Sequence, residues 1–308
     1  MADNTKAVAK RMPFTVAIGT DYYKGLINRT LQDPDRSKRF IASIMTAVTT
    51  NPALQECDPI TVLSGAFLGE SLNLTPSPTL GQMYLIPFKD KNNAYGMVAV
   101  FVLGYKGYIQ LMLRSGYYKK EIVVAVKEGE FVYWNEYTEE LQTSIVQGVA
   151  DRDALPTVGY YLMFEMVNGF RKAMYWSKEK MLAHADRYSK AFSSDKYRLL
   201  VEGKIPGISL KDIQTGKYFE DKNLYATAQK MSSFWYKDFD EMGKKTMIRH
   251  GISHWGLLSI EMQTAFDSDD KVVNEGGIVA DVEEMPDAPE ELAPPDDKTP
   301  PVEGIDEV

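Results

Sequence analysis

The sequence predicts an α+β protein: an antiparallel sheet core flanked by N- and C-terminal helices, followed by a disordered acidic C-terminal tail. Three observations predict it. Strand-like apolar runs gather between about residues 82 and 176, with helical periodicity before and after. Short polar turns link those runs, so they pair as hairpins and not as βαβ units. After Asp267 the chain turns acidic and Pro-rich, with too little apolar surface to fold.

Residues 1–20 are polar with scattered Lys and Arg, and read as a mobile N-terminal arm. Residues 21–50 read as helical, with Phe40, Ile44 and Val48 spaced four apart on one face. Asn51-Pro52 breaks that pattern. Asp58 at an N-cap and Pro59 at the first helical position start another helix. "GQMYLIPF" and "GMVAVFVL" read as two strands joined by the polar loop "KDKNNAY". A helix follows from Tyr105 to about Arg114. "EIVVAVKEGEFVYW", "TVGYYLMFEMV" and "FRKAMYWS" read as strands, the last two joined by the hairpin turn Asn168-Gly169. Ser177 caps a helix to about Tyr188. Residues 189–230 show no sustained period and read as an insertion. Helices resume with "SSFWYKDFDEMGKKTMIRH" and "WGLLSIEMQTAF". The expected organisation is an arm (1–20), one large domain (21–266, with the 189–230 insertion) and the tail (267–308).

The net charge of −8 hides an asymmetry. Residues 267–308 hold 15 acids against 2 lysines, whereas residues 1–266 hold 28 acids against 33 Lys and Arg. A mildly basic body carries an acidic tail. Cys57 is the only cysteine, which excludes a disulfide framework and a cysteine metal cage and fits a reducing cytoplasm. No apolar stretch reaches membrane-spanning length, and no signal-peptide core is evident, so a soluble cytoplasmic protein is expected.

The helix that opens "GYKGYIQLMLRSGYYKK" carries the densest chemistry. On a helical wheel Ile109, Met112 and Leu113 share a face, and Lys106, Gln110 and Arg114 form a stripe beside it. Lys106 lies in the first turn, where backbone N–H groups and the helix dipole favour an anion. Gly104 and Gly107 permit close approach of a phosphate chain. Tyr105, Tyr108, Tyr117 and Tyr118 offer rings for stacking on bases. Taken alone, such a stripe is more often a solvated face with tyrosines completing the core. Lys119 and Lys120 equally fit a charged turn. In the later helix Trp235, Phe239, Met242 and Thr246 form an apolar stripe, bordered by Lys245 and Arg249, with Lys244 on the opposite side. Lys245 also fits an ordinary surface pair with Glu241, four residues earlier. Arg171 and Lys172 open a strand, so one of them faces outward.

Other chemistries find little support. The phosphate loop Gly-x-x-x-x-Gly-Lys-[Ser/Thr] is absent: "MGKKT" lacks its first glycine. His250 and His254 stand four apart in "HGISH" but lack the glutamate of a zinc-protease helix, and ordinary packing fits them better. Cys57 has no histidine nearby in sequence, and an inert thiol fits it better. The acids of "DFDE" and Glu139-Glu140 are expected as chance neighbours.

Three stretches carry a resemblance: "NPALQECDPITVLSGAFLGESLNLTPSPTLGQMYLIPF", "VAVFVLGYKGYIQLMLRSGY" and "DFDEMGKKTMIRHGI". In that order, over roughly residues 40–265, they resemble the RecT family of phage and prophage single-strand annealing recombinases. Asn73 departs from the pattern, which has Glu there. The 189–230 segment is longer than the family spacer, leaving Lys217, Lys222 and Lys230 without a carried-over role. The resemblance implies a β-β-β-α-like annealing-protein fold. It implies ATP-independent binding of single-stranded DNA and of the annealed duplex, in a homo-oligomeric ring or helical filament, inside a bacterial host cell. It implies a 5′-to-3′ exonuclease and the host single-strand-binding protein as partners through the acidic tail. It implies no membrane, no catalytic residue, no metal site and no required cofactor; magnesium is compatible with it, but no sequence feature asks for magnesium. The DNA-binding residues expected are Tyr105, Lys106, Gln110, Arg114, Lys119, Lys120, Arg171, Lys172, Lys244, Lys245 and Arg249. The competing readings are a metal-dependent DNA-processing enzyme and a phage structural assembly protein.

Overall fold

A computed structural model describes residues 12–77, 79–146, 148–215, 228, 231 and 233–274, with the backbone alone for 149–150 and 269–274. The acidic segment beyond Asn274, residues 1–11 and the three lysines of 216–230 lie outside the described residues.

The described chain is α+β, with helices before and after three antiparallel sheets. The N-terminal helices are α1 (Phe14–Ala17), α2 (Asp21–Leu31), α3 (Pro34–Thr50), a 3-10 turn (Pro52–Glu56) and α4 (Pro59–Ser71). The expected helical stretch 21–50 is two helices. Gln32 turns left-handed at φ 53°, Asp33 caps α3 by accepting from the backbone N–H groups of Asp35 and Arg36, and Pro34 fills the first turn. Asp58 caps α4 through the Ile60 N–H, as its sequence predicts. The expected mobile arm is partly packed: Phe14 and Ile18 are buried in the core. They dock beside the 3-10 turn, where Thr15 donates to the Gln55 side chain.

β1 (Met83–Lys89) and β2 (Met97–Leu103) form the expected hairpin, with Leu85 opposite Phe101. α5 (Tyr105–Ser115) follows directly. β3 (Tyr118–Lys127), β6 (Thr157–Met166) and β7 (Arg171–Ser177) form the second sheet, in the order β3-β6-β7. β4 (Phe131–Asn135) and β5 (Glu140–Thr143) form a separate hairpin. Its Trp134 and Phe131 pack on Tyr161 and Tyr175, on the outer face of the second sheet. A short helix, α6 (Val149–Ala154), precedes β6.

α7 (Lys178–Tyr188) starts at Ser177, whose hydroxyl accepts from the Lys180 N–H. Within the expected insertion stand α8 (Ser194–Val201) and α9 (Leu210–Thr215). Ser209 and Asp212 exchange side-chain and backbone hydrogen bonds at the start of α9, a capping box. The expected helix 232–250 is broken at Asp238 into α10 (Phe234–Lys237) and α11 (Phe239–Trp255). Asp238 is the cap, accepting from the Glu241 N–H. The last helix, α12 (Ile260–Asn274), continues past the compositional boundary at Asp267. Its Phe266 packs edge-on against Tyr108 of α5.

α11 organises the core. It presses on the inner face of the β3-β6-β7 sheet and on α5, so it is buried on almost every side. Two glycines permit this. A β-carbon on Gly243 would lie 2.7 Å from the Tyr160 ring, and one on Gly251 would lie 2.3 Å from Leu162 Cδ2. Gly251 is thus a contact surface for the sheet.

Candidate nucleic-acid interface

The start of α5 is set by the loop before β1. Gly104 N–H donates to the Gln82 carbonyl at 2.9 Å. A β-carbon on Gly104 would lie 2.2 Å from the Gly81 carbonyl oxygen, and one on Gly107 would lie 2.1 Å from that of Gln82. These glycines therefore admit the chain's own backbone, not a phosphate chain as the sequence suggests. Lys106 then lies across Gly81 with its side chain exposed.

Beside it α11 brings Lys244. Its Nζ sits 4.5 Å from the Tyr105 ring centroid, while Lys106 Nζ lies 5.8 Å from the same centroid. Both distances are within cation–π range. Burial disfavours the Lys244 charge, yet the Glu241 carboxylate at 2.6 Å, with Tyr105, outweighs that and raises its pKa. Lys244 thus faces the candidate site and is paired by Glu241, the roles sequence periodicity gives to Lys245. Nearby, Tyr84 is held protonated above its ordinary range, by burial first and then by Glu241 and Asp238.

Gln110 and Arg114 continue the stripe along α5. Arg114 Nη1 donates to the Asn73 carbonyl at 3.1 Å, with Asn73 in the left-handed region at φ 55°. Asparagine tolerates that conformation better than glutamate, the residue expected there. Of the four tyrosines, Tyr117 is exposed and Tyr105 half-buried, but Tyr108 and Tyr118 are core residues. Tyr118 donates to the Leu257 carbonyl and packs edge-on against Phe164.

A second cationic group sits on the outer face of the second sheet. A bulge between Tyr118 and Lys120 places two lysines opposite Glu165, and Arg171 pairs with Glu165 from β7. Lys119 Nζ lies 2.6 Å from the Glu165 carboxylate. Lys119, with Lys120 and Arg171, holds that carboxyl below its usual range. Lys172 is elsewhere: it pairs with Glu139 in the β4–β5 turn, and its Nζ lies 4.3 Å from the Trp255 ring centroid.

Lys245 and Arg249 do not border an open groove. They are 5% and 2% exposed, enclosed by the packing of α11 on both sides. A helical wheel places them beside the apolar stripe but cannot show that the adjacent face is also covered.

Sequence reading missed Lys178. This lysine of α7 lies 3.6 Å from the Phe239 ring centroid and 3.7 Å from Asp240, and donates to the Tyr160 hydroxyl. Desolvation lowers its pKa to about 8, against the pull of Asp240. Asp240 is buried too, but Lys178, Thr157, Tyr160 and Lys127 together outweigh the desolvation and keep it ionised. The acids of "DFDE" therefore serve as a cap, an ion cluster and the Lys244 partner. His254 Nδ1 lies 2.9 Å from the His250 carbonyl, so that ring is engaged locally. Cys57 is buried, and desolvation, with Glu56 and Asp58, pushes its thiol up to about 12. Among the described residues no group of three or more His, Cys, Asp or Glu could hold a metal, and no helix is long and apolar enough to cross a membrane.

Comparison with known proteins bears on this arrangement. The model of the RecT family matches residues 38–287. An uncharacterized protein of Bacillus subtilis strain 168, YqaK, is 32% identical over 237 residues, covering 77% of this chain and 65% of that protein. Protein RecT of Escherichia coli strain K12 is 29% identical over 136 residues, covering 43% of this chain and 49% of that protein. The chain therefore spans less than two thirds of either relative.

Proposed function

This chain belongs to the RecT family, and from that premise we propose that it binds single-stranded DNA and anneals complementary strands in recombination. The observation that carries the reading is the convergence of Lys106 and Lys244, from two distant parts of the chain, on the ring of Tyr105. Annealing requires little covalent chemistry from a protein, because the base pairs formed supply the free energy. What is required is relief of phosphate repulsion and an extended strand with its bases available. Cations that replace condensed counterions meet the first need, and aromatic rings that stack on bases meet the second.

In this reading the process uses neither nucleotide triphosphate nor a cofactor. Protomers assemble side by side in a ring or filament, and the modest positive charge of each body becomes a continuous track. Lys119, Lys120 and Arg171 supply a second set of phosphate contacts around Glu165. The acidic tail serves partners, a 5′-to-3′ exonuclease and the host single-strand-binding protein, and competes with DNA for the track.

The test is incubation of the purified protein with complementary oligonucleotides, without nucleotide triphosphate and both with and without chelator. The expected outcome is accelerated duplex formation in the wild type and its loss in Lys106→Glu. Shortened strands that disappear with chelator would instead mark a metal-dependent processing enzyme. Assemblies indifferent to DNA would mark a structural protein.

A further inference from the structure

We infer that a groove between α3 and the loop after α4 is a phosphodiester-binding subsite that receives the single strand beyond Arg114. The inference rests on the DNA-binding reading above and extends it to residues on a different helix.

The groove has a volume of about 540 Å³ and is lined by Arg36, Arg39, Ser43, Glu70, Asn73 and Thr75, among others. That volume lies within the range of small-molecule sites. Arg36, Arg39 and Ser43 follow one another at three- and four-residue spacing, so they share one face of α3. Phe40, stacked on Phe67, forms the apolar wall.

Two relationships point to a DNA strand as the occupant. The first is position. Arg114, the last cation of the α5 stripe, donates to the carbonyl of Asn73, itself a groove residue. The stripe from Lys106 therefore ends at the groove rim. The second is charge. Arg36 Nε donates to the Glu70 carboxylate at 2.6 Å, so that pair is close to neutral. Arg39 is exposed and makes no ion pair among the described residues, which leaves the groove one net positive charge. A single charge beside hydroxyl and backbone groups matches a phosphodiester. On the same helix, Lys38 pairs with Asp35 at 3.2 Å, is highly exposed and does not line the groove. It serves as a control cation of equal charge.

The experiment is fluorescence anisotropy of a labelled oligothymidylate over a salt series, with wild type, Arg39→Ala, Arg39→Lys, Lys38→Ala and Lys106→Ala. Each phosphate of a single strand that is no longer neutralised lowers the slope of log K against log salt by about 0.7. Arg39→Ala is expected to weaken binding and reduce the slope by about that amount. Arg39→Lys, which keeps the charge, is expected to restore the slope, showing that the weakening is not misfolding. Lys38→Ala is expected to match the wild type. If Arg39→Ala matches the wild type while Lys106→Ala loses affinity and slope, the groove is not a subsite and the DNA-binding reading survives. If the wild type itself fails to bind, both fall together.

Discussion

The Lys244 ammonium stands over the ring of Tyr105, 4.5 Å from its centroid, while its other side is held by Glu241. This pairing joins α11 to the first residue of α5. It couples the helix that organises the core to the helix that carries the cationic stripe.

The Tyr105 ring is expected to be worth about 1–3 kcal/mol of strand affinity if a base stacks on it. Tyr105→Ala should therefore weaken single-strand binding by about fivefold or more, while Tyr105→Phe, which keeps the ring, should retain most of it. Titration of a labelled oligonucleotide at fixed salt distinguishes the two.

Asp240 is expected to be a stability residue. Four groups favour its carboxylate, so removing the charge leaves Lys178 and Lys127 without it, and Asp240→Asn should cost roughly 1.5–3 kcal/mol in chemical denaturation. Its folded pKa lies below the unfolded value. The stability it confers is thus complete above about pH 4 and is lost as pH falls from there through the folded value. The variant should lack that part of the acid dependence, as read from denaturation midpoints between pH 3 and 6.

Gly243→Ala reverses the usual helix rule. In an exposed helix interior the change gains about 1 kcal/mol. Here the added methyl meets the buried Tyr160 ring at 2.7 Å, and that ring is fixed by its hydroxyl bond to Asp240. Overpacking of this kind costs roughly 1–3 kcal/mol. A lowered thermal midpoint is the expected result.

Truncation after Asn274 removes 12 of the 15 acids that follow residue 266, and keeps α12 whole. Tighter single-strand binding is expected, with the largest gain at low salt, because the competing polyanion is gone. Cutting at Asp267 instead would remove the last turns of α12 and should also destabilise the fold. Parallel binding and melting curves separate the two effects.

Much of the fold is legible because its signals are local. The β1–β2 hairpin, the start of α5 and the caps Asp58 and Ser177 follow from alternation and capping chemistry. α9 is equally readable from Ser209-Leu-Lys-Asp212, a capping box hidden among polar residues. The burial of Lys245 and Arg249 is not legible, since periodicity reports one apolar face and α11 is covered on nearly all of them. Gly243 and Gly251 are the available sign, small residues eight apart where a sheet presses close. Of the candidate site, the α5 stripe lies on its helix as the spacing predicts. Which α11 lysine joins it depends on how two helices cross, and no spacing within either helix states that. The cations of α3 escape notice because "RSKRF" reads only as a helix start.

The bulge at Lys119 has a consequence for how this surface is encoded. Strict alternation along β3 would send adjacent lysines to opposite sides of the sheet. One extra unpaired residue instead gives both to the same side as Arg171. The charge of that corner is therefore written into strand registration as much as into composition: deleting the extra residue would regularise the ladder and leave Lys120 and Arg171 beside Glu165 with one cation fewer.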